Sequence, residues 1–373
     1  MTSALATNST TFDVGALIRD KSVRILICCG SGGVGKTTTA ASLAISAARV
    51  GRKVCLITID PAKRLAQVLG VDQLTNSPSV VNLPDLPVDG QLHAMMLDMK
   101  GTFDDLVRNA VDANRANQIL ANPFYVTLST SFAGTQEYMA MEKLAQVHRD
   151  ERFDLVVVDT PPASSTLDFL DSPKRLGEFL NGRFIRLLTA PARIGGKLFA
   201  RALDAGTNAA SGLLDRVLGA DFLKDVSSFI TNFDEVFGGF QTRAEKTYAL
   251  LQNPMTRFVL VTTLTPEPMR EAQDFLRRLR SDGLTFAGVV VNRVQPDPAS
   301  NLVEYANHTL NGQMGHALTE KLLKWVKADH EIADEQHQLL EEFRRNNMSL
   351  PNVTIPFASQ DSLTYFDLES QTK

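Results

Sequence analysis

The chain has little cysteine and no long apolar run, and each shortage argues against a class of protein. Only Cys28, Cys29 and Cys55 occur in 373 residues. No pair of them has CxxC spacing, which argues against a redox dithiol or a thiolate metal site. Each sits in an apolar, strand-like run ("VRILICC", "VCLIT"), where a reduced thiol packs as a small buried hydrophobe. The six histidines do not cluster at metal-ligand spacing, so no zinc is expected. No apolar stretch approaches the roughly 20 residues that cross a bilayer. The N-terminus "MTSALATNSTTFDVGALIRD" has neither the basic nor the apolar region of a secretory signal, so a cytoplasmic chain is expected. An excess of positive charge is also missing. Against 42 Asp and Glu stand 38 Lys and Arg, a net charge of −4, which gives no whole-chain reason to expect nucleic acid as a partner.

What is present is a set of short, continuously apolar runs: "VRILICC" (23–29), "KVCLITID" (53–60), "FDLVVVDT" (153–160), "RFVLVTT" (257–263), "FAGVVVN" (286–292) and a last short "PNVTIPF" (351–357). Strands apolar on both faces and separated by helical segments predict an α/β fold with a doubly wound, mostly parallel sheet. In such folds ligands bind beyond the carboxyl ends of the strands. Two helical excursions, at about 101–150 and 173–250, interrupt the alternation. No linker or internal repeat divides the chain, so residues 1–373 are expected to form a single domain around one α/β core.

Between the first run and a helical pattern beginning at Lys36 lies "CCGSGGVGKTTTAA". Gly30, Gly35, Lys36 and Thr37 satisfy GxxxxGK[ST] in a strand–loop–helix context. The glycines let backbone N–H groups curl towards a phosphate, and the helix N-terminus adds its dipole. Lys36 is placed to bridge β- and γ-phosphates, and the Thr37 hydroxyl to reach Mg²⁺. ATP and Mg²⁺ are therefore the expected ligands. Asp159 closes "LVVVD" as a Walker-B-type acid near the metal, acting through water. Asp60 closes "CLITID" before Pro61, where a carboxylate orients the water that attacks the γ-phosphate and lies near Mg²⁺. The guanine-reading NKxD pattern is absent, whereas Asn292, after "GVVV", is placed to meet an adenine edge.

The blocks "GSGGVGKTTTAASLAI", "TIDPAKRLAQVLG", "GTQEYMAMEKL", "DLVVVDTPPASSTLDFLDSPKRL" and "VVVNRV" resemble the ArsA and guided-entry (tail-anchored protein targeting) ATPase family, in particular its bacterial, actinobacterial ArsA-like branch, over nearly the whole chain. The resemblance implies a deviant Walker A fold and a phosphate loop that includes Gly32, Gly33, Val34 and Thr38. It makes "DPAKRLA" a first switch, with Asp60 acting on water, and "DTPPASSTL" a second. Asn292 becomes the adenine reader, with Pro356 and Phe357 on the adenine-side loop. It also implies a dimeric, ATP-hydrolysing switch with a hydrophobic protein client.

Members of that class usually read GKGGxGKT, the extra lysine reaching across the dimer. Here the position is Ser31. A cation there would stabilise charge developing on the transferred phosphoryl, so three alternatives are open. The chain hydrolyses ATP weakly, or Lys63 or Arg64 replaces the charge, or the partner is a paralogue that keeps the lysine. The dimer is then homo- or heterodimeric. The apolar side chains of 173–250 (Phe179, Leu180, Phe184, Ile185, Leu187, Leu188, Leu198, Phe199) form either a core face or a client groove. The basic run Arg183–Arg201 suggests peripheral membrane contact as a further option. The alternative function is a ParA/MinD-like positioning ATPase. The acidic overall charge and the non-basic C-terminus "LTYFDLESQTK" speak against it.

Overall fold

The computed structural model describes residues 11–59, 64–84, 86–122, 125–126, 129, 135–161, 240–297, 316–347 and 350–357. Eight strands form one sheet: β1 (Ile25–Gly30), β2 (Lys53–Thr58), β3 (Ser79–Val80), β4 (Gln91–Met96), β5 (Leu155–Asp159), β6 (Thr256–Thr263), β7 (Phe286–Val294) and β8 (Asn352–Pro356), in the order β3-β4-β2-β5-β1-β6-β7-β8. Every neighbouring pair is parallel except β3 with β4. The expected fold class is the observed one.

Alternation along the strands splits the core into two layers. Ile25, Ile27 and Cys29 of β1 and Val156 and Val158 of β5 face one layer, while Leu26, Cys28, Leu155 and Val157 face the other. Four helices cover the first layer among the described residues: α6 (Thr135–His148), α7 (Phe240–Gln252) through Leu251, α8 (Pro266–Ser281) and the C-terminal part of α9 (His316–Asn346). Covering the second are α1 (Val14–Arg19), α2 (Lys36–Arg49) and α3 (Arg64–Leu69). The buried face of α2 is largely alanine (Ala40, Ala41, Ala44, Ala47, Ala48), side chains short enough for the helix to lie close on the sheet. The excursion at 101–150 contains α4 (Met99–Ala110), α5 (Ala113–Leu120) and α6; of 173–250, only residues 240–250, most of α7 (Phe240–Gln252), are described. Phe179 to Phe199 and the Arg183–Arg201 run lie outside the described residues.

Two strands were not expected. In β4 the sequence QLHAMM alternates exposed, half-buried and buried positions, so Gln91 and His93 break the apolar run that marks the central strands. β3 is two exposed residues. At the opposite edge, Thr11 bridges Asn352 of β8.

The amino ends of the central strands form a tightly bonded floor. Arg52, just before β2 and 3% exposed, donates through Nε to Asp154 Oδ1 (2.9 Å). Its Nη1 donates to the Ile18 and Asp20 carbonyls (both 3.2 Å), and its Nη2 to those of Val23 (2.7 Å) and Asp154 (2.8 Å). One guanidinium thereby ties the end of α1 and the starts of β1, β2 and β5 together, its planar fork serving four separate backbone carbonyls.

Candidate functional site

The carboxyl ends of β1, β2, β5 and β7 meet at the opposite rim. β1 stops at Gly30, with φ +146, where any Cβ would collide with the Val261 carbonyl of β6. The loop Ser31–Gly35 then turns into α2. Gly35 caps that helix in the left-handed region at φ +99, and a side chain there would strike the Asn292 amide. Both glycines are required by space as well as by backbone angle. Gly32 and Gly33 are exposed, Val34 is buried, and Thr37 and Thr38 on the first turn of α2 are half-buried.

Lys36 is 8% exposed, and its Nζ donates to the Ser31 carbonyl at 2.6 Å. The ammonium is folded across its own loop onto a neutral acceptor, one that an anionic phosphate oxygen outcompetes electrostatically. Ser31 is itself 5% exposed, and its Oγ has no hydrogen-bond partner among the described residues.

Asp159 is the last residue of β5 and fully buried. It lies in register with Cys28 of β1 on one side and Thr58 of β2 on the other, and Thr58 Oγ1 donates to its Oδ2 at 3.0 Å. Thr160 turns back and donates to the Cys28 carbonyl at 2.7 Å, which fixes the exit of the chain from β5. The sequence marked Asp159 but not Thr58; the signal was a hydroxyl at the end of an otherwise apolar run. Asp60 and Lys63 lie outside the described residues, and Arg64 is exposed at the start of α3.

Asn292 is brought to this rim, where it makes contacts within the protein. Its Nδ2 donates to the Val34 carbonyl (2.8 Å) and its Oδ1 accepts from the Arg293 N–H (2.9 Å). Both ends of the amide are engaged, so Asn292 braces the phosphate loop from β7. A bulge aims it there: the β7–β8 register shifts between Val291 and Val294, and Arg293 takes φ +57, a conformation that costs a non-glycine residue about 1–3 kcal/mol. Pro356 pairs with Val294, and the Phe357 N–H donates to the Val294 carbonyl (2.7 Å). Phe357, 56% exposed, therefore stands at the same corner.

The three cysteines are free and buried. Burial raises every thiol above its usual range, Cys55 up to about 12, with Asp159 adding to the effect at Cys28. None is a nucleophile at neutral pH. Among the described residues no three His, Cys, Asp or Glu side chains gather as a metal site. The oxygen donors at the rim, the Thr37 hydroxyl and the Asp159 carboxylate, are of the type Mg²⁺ takes alongside substrate phosphates and water. No helix of the described residues is long and apolar enough to cross a membrane.

Comparison with known proteins gives one family. The family model described as anion-transporting ATPase matches residues 23–322. The ATPase get3 of Schizosaccharomyces japonicus is 27% identical over 286 residues, covering 76% of this chain and 78% of its own. That of Schizosaccharomyces pombe is 27% identical over 283 residues, covering 76% and 77%. The ATPase GET3 of Malassezia globosa is 32% identical over 164 residues, covering 44% and 46%.

Proposed function

This chain belongs to the ArsA family of ATPases, and from that premise we propose an ATP-driven, dimeric conformational switch that handles a hydrophobic protein client of the tail-anchored type. The observation that carries the reading is Lys36, whose ammonium is folded over a strand–loop–helix phosphate cradle and donates to the Ser31 carbonyl of that same loop. On ATP binding, Lys36 moves from that carbonyl to the β- and γ-phosphates. The backbone N–H groups of Gly30 to Lys36 and the first turn of α2, Thr37 and Thr38 included, surround the anion.

Thr37 and Asp159 would hold Mg²⁺, the aspartate through water; Thr58 engages one oxygen of that carboxylate. The metal, when bound, neutralises charge on the phosphate oxygens. Asp60, outside the described residues, is the residue assigned to orienting the attacking water and to the metal's hydration shell. Water adds to the γ-phosphorus as the bond to the β–γ bridging oxygen breaks, leaving ADP and phosphate. Asn292, Pro356 and Phe357 form the base side. Because Asn292 also grips Val34, base binding and the phosphate loop are mechanically joined.

The test is nucleotide-dependent capture of a peptide that ends in an apolar segment of about 20 residues. The purified chain is expected to retain it with ATP and Mg²⁺ and release it with ADP. Equal retention with both nucleotides would refute the switch.

Ser31 favours a second reading, in which this chain is the slower subunit of a heterodimer whose partner supplies the GKGGxGK lysine. Turnover is then low alone and rises on adding such a paralogue. Full turnover alone, unchanged by the paralogue, excludes it.

A further inference from the structure

Away from the nucleotide rim, helix α9 carries an uncovered apolar stripe. Leu318, Trp325 and Ile332 are 46%, 69% and 45% exposed, three of the eight exposed large hydrophobic side chains among the described residues. They recur every seven residues, about two turns, so they share one face with a drift of only about 20° per repeat. The same face continues into Gln336, Leu340 and Phe343. There it is seated: Leu340 and Phe343 enter the core and Gln336 Oε1 accepts from the Gln295 N–H (2.7 Å). The helix thus runs out of its own core towards its N-terminus while keeping a core-type face.

Its charges are segregated along its middle. Between 318 and 328 stand Lys321, Lys324 and Lys327 against one acid, Glu320; Asp329, Glu331, Asp334 and Glu335 follow. The exposed Lys324–Glu320 pair (3.6 Å) satisfies little of this charge. A second copy of the same segment laid antiparallel complements Trp325, Ile332 and this segregation of charge together.

We propose that α9 pairs with α9 of a second copy of this chain, antiparallel, about a two-fold axis at Ala328. In that register Trp325 meets Ile332 of the other copy, Lys321 meets Glu335, and Lys324 meets Glu331, each contact occurring twice because the interface is isologous. Ala328 meets itself, and its small side chain lets the helices approach. The overlap spans 321–335, ahead of the turn where α9 enters its own core. Asp329 lies on the outer edge of the pairing, where water screens it from its own copy. The contact needs no nucleotide, so it differs from a dimer assembled around ATP.

A cysteine at the axis tests the geometry, because residue 328 faces itself and Cys28, Cys29 and Cys55 are buried. Without nucleotide and under mild oxidation, A328C should give a covalent dimer. K327C, turned about 100° away from the axis, should give none. The native chain should show dimeric mass. Adding K321E to A328C should lower the covalent yield about tenfold, since like charges then face each other, and K321E with E335K should restore it. Melting curves of the variants exclude misfolding as the cause. Equal yields from A328C and K327C, a monomeric native chain, or a dimer in which A328C fails to cross-link would each overturn the proposal.

Discussion

The two ends of β1, β2 and β5 are only five or six residues apart, yet they are built on opposite terms. At the floor, Arg52 spends its donors on fixed backbone carbonyls and one carboxylate, and nothing there is exchangeable. At the rim, Lys36 rests on a neutral carbonyl, Ser31 keeps an unused hydroxyl and Arg293 stores strain. Such contacts are given up at little cost when a charged ligand arrives. Stability and chemistry are thus separated along the same strands.

Breaking each end separately sharpens the contrast. At the rim, Lys36→Ala is expected to lower ATP turnover by on the order of 10²- to 10³-fold, the usual loss when a positioned donor to a transition-state charge is removed. The melting midpoint should stay close to that of the native chain. At the floor, Arg52→Ala is expected to cost about 3 kcal/mol in denaturant unfolding, the low end for breaking a buried ion pair because Asp154 keeps contact with water. ATP affinity of the folded fraction should not change. A reversal of these two outcomes would dissolve the distinction.

Thr58→Val lies between the two ends. It removes the buried bond to Asp159, so it should cost about 1 kcal/mol of stability and also slow turnover, a combined loss that neither end shows alone. The smallest effect belongs to His330, whose Nδ1 lies 2.8 Å from Asp297 Oδ1 beyond β7. That hydrogen bond, with the charge of Asp334, raises the His330 pKa. A raised folded-state value means stability that is fully present below the unfolded value near 6.5 and lost as pH rises through the folded one. His330→Gln should therefore lower the melting midpoint slightly at pH 5.5 and leave it unchanged at pH 8.5.

The rim was more legible in the sequence than the floor, for a physical reason. A phosphate loop needs particular residue types at fixed spacing, so Gly30, Gly35, Lys36 and Thr37 were visible directly, and central strands buried on both faces are apolar throughout, which located β1, β2 and β5 to β8. Arg52 follows a glycine turn and reads as an ordinary surface arginine, because its five bonds are to partners distant in sequence. β4 was hidden because it lies one strand from the sheet edge and shows Gln91 and His93 to a less buried layer. Asn292 was found by position after an apolar run, but its grip on Val34 depends on a β7 bulge that no local pattern announces.

Hydrogen exchange with and without ATP and Mg²⁺ compares both ends of the sheet in a single experiment. Expected is new protection at residues 31–38, at the ends of β2 and β5 and around 292–294, with no change at 18–24, 52–53 and 153–155. Protection spread evenly over both ends, or none at the phosphate loop, would contradict the division of the sheet into a fixed floor and a nucleotide-responsive rim.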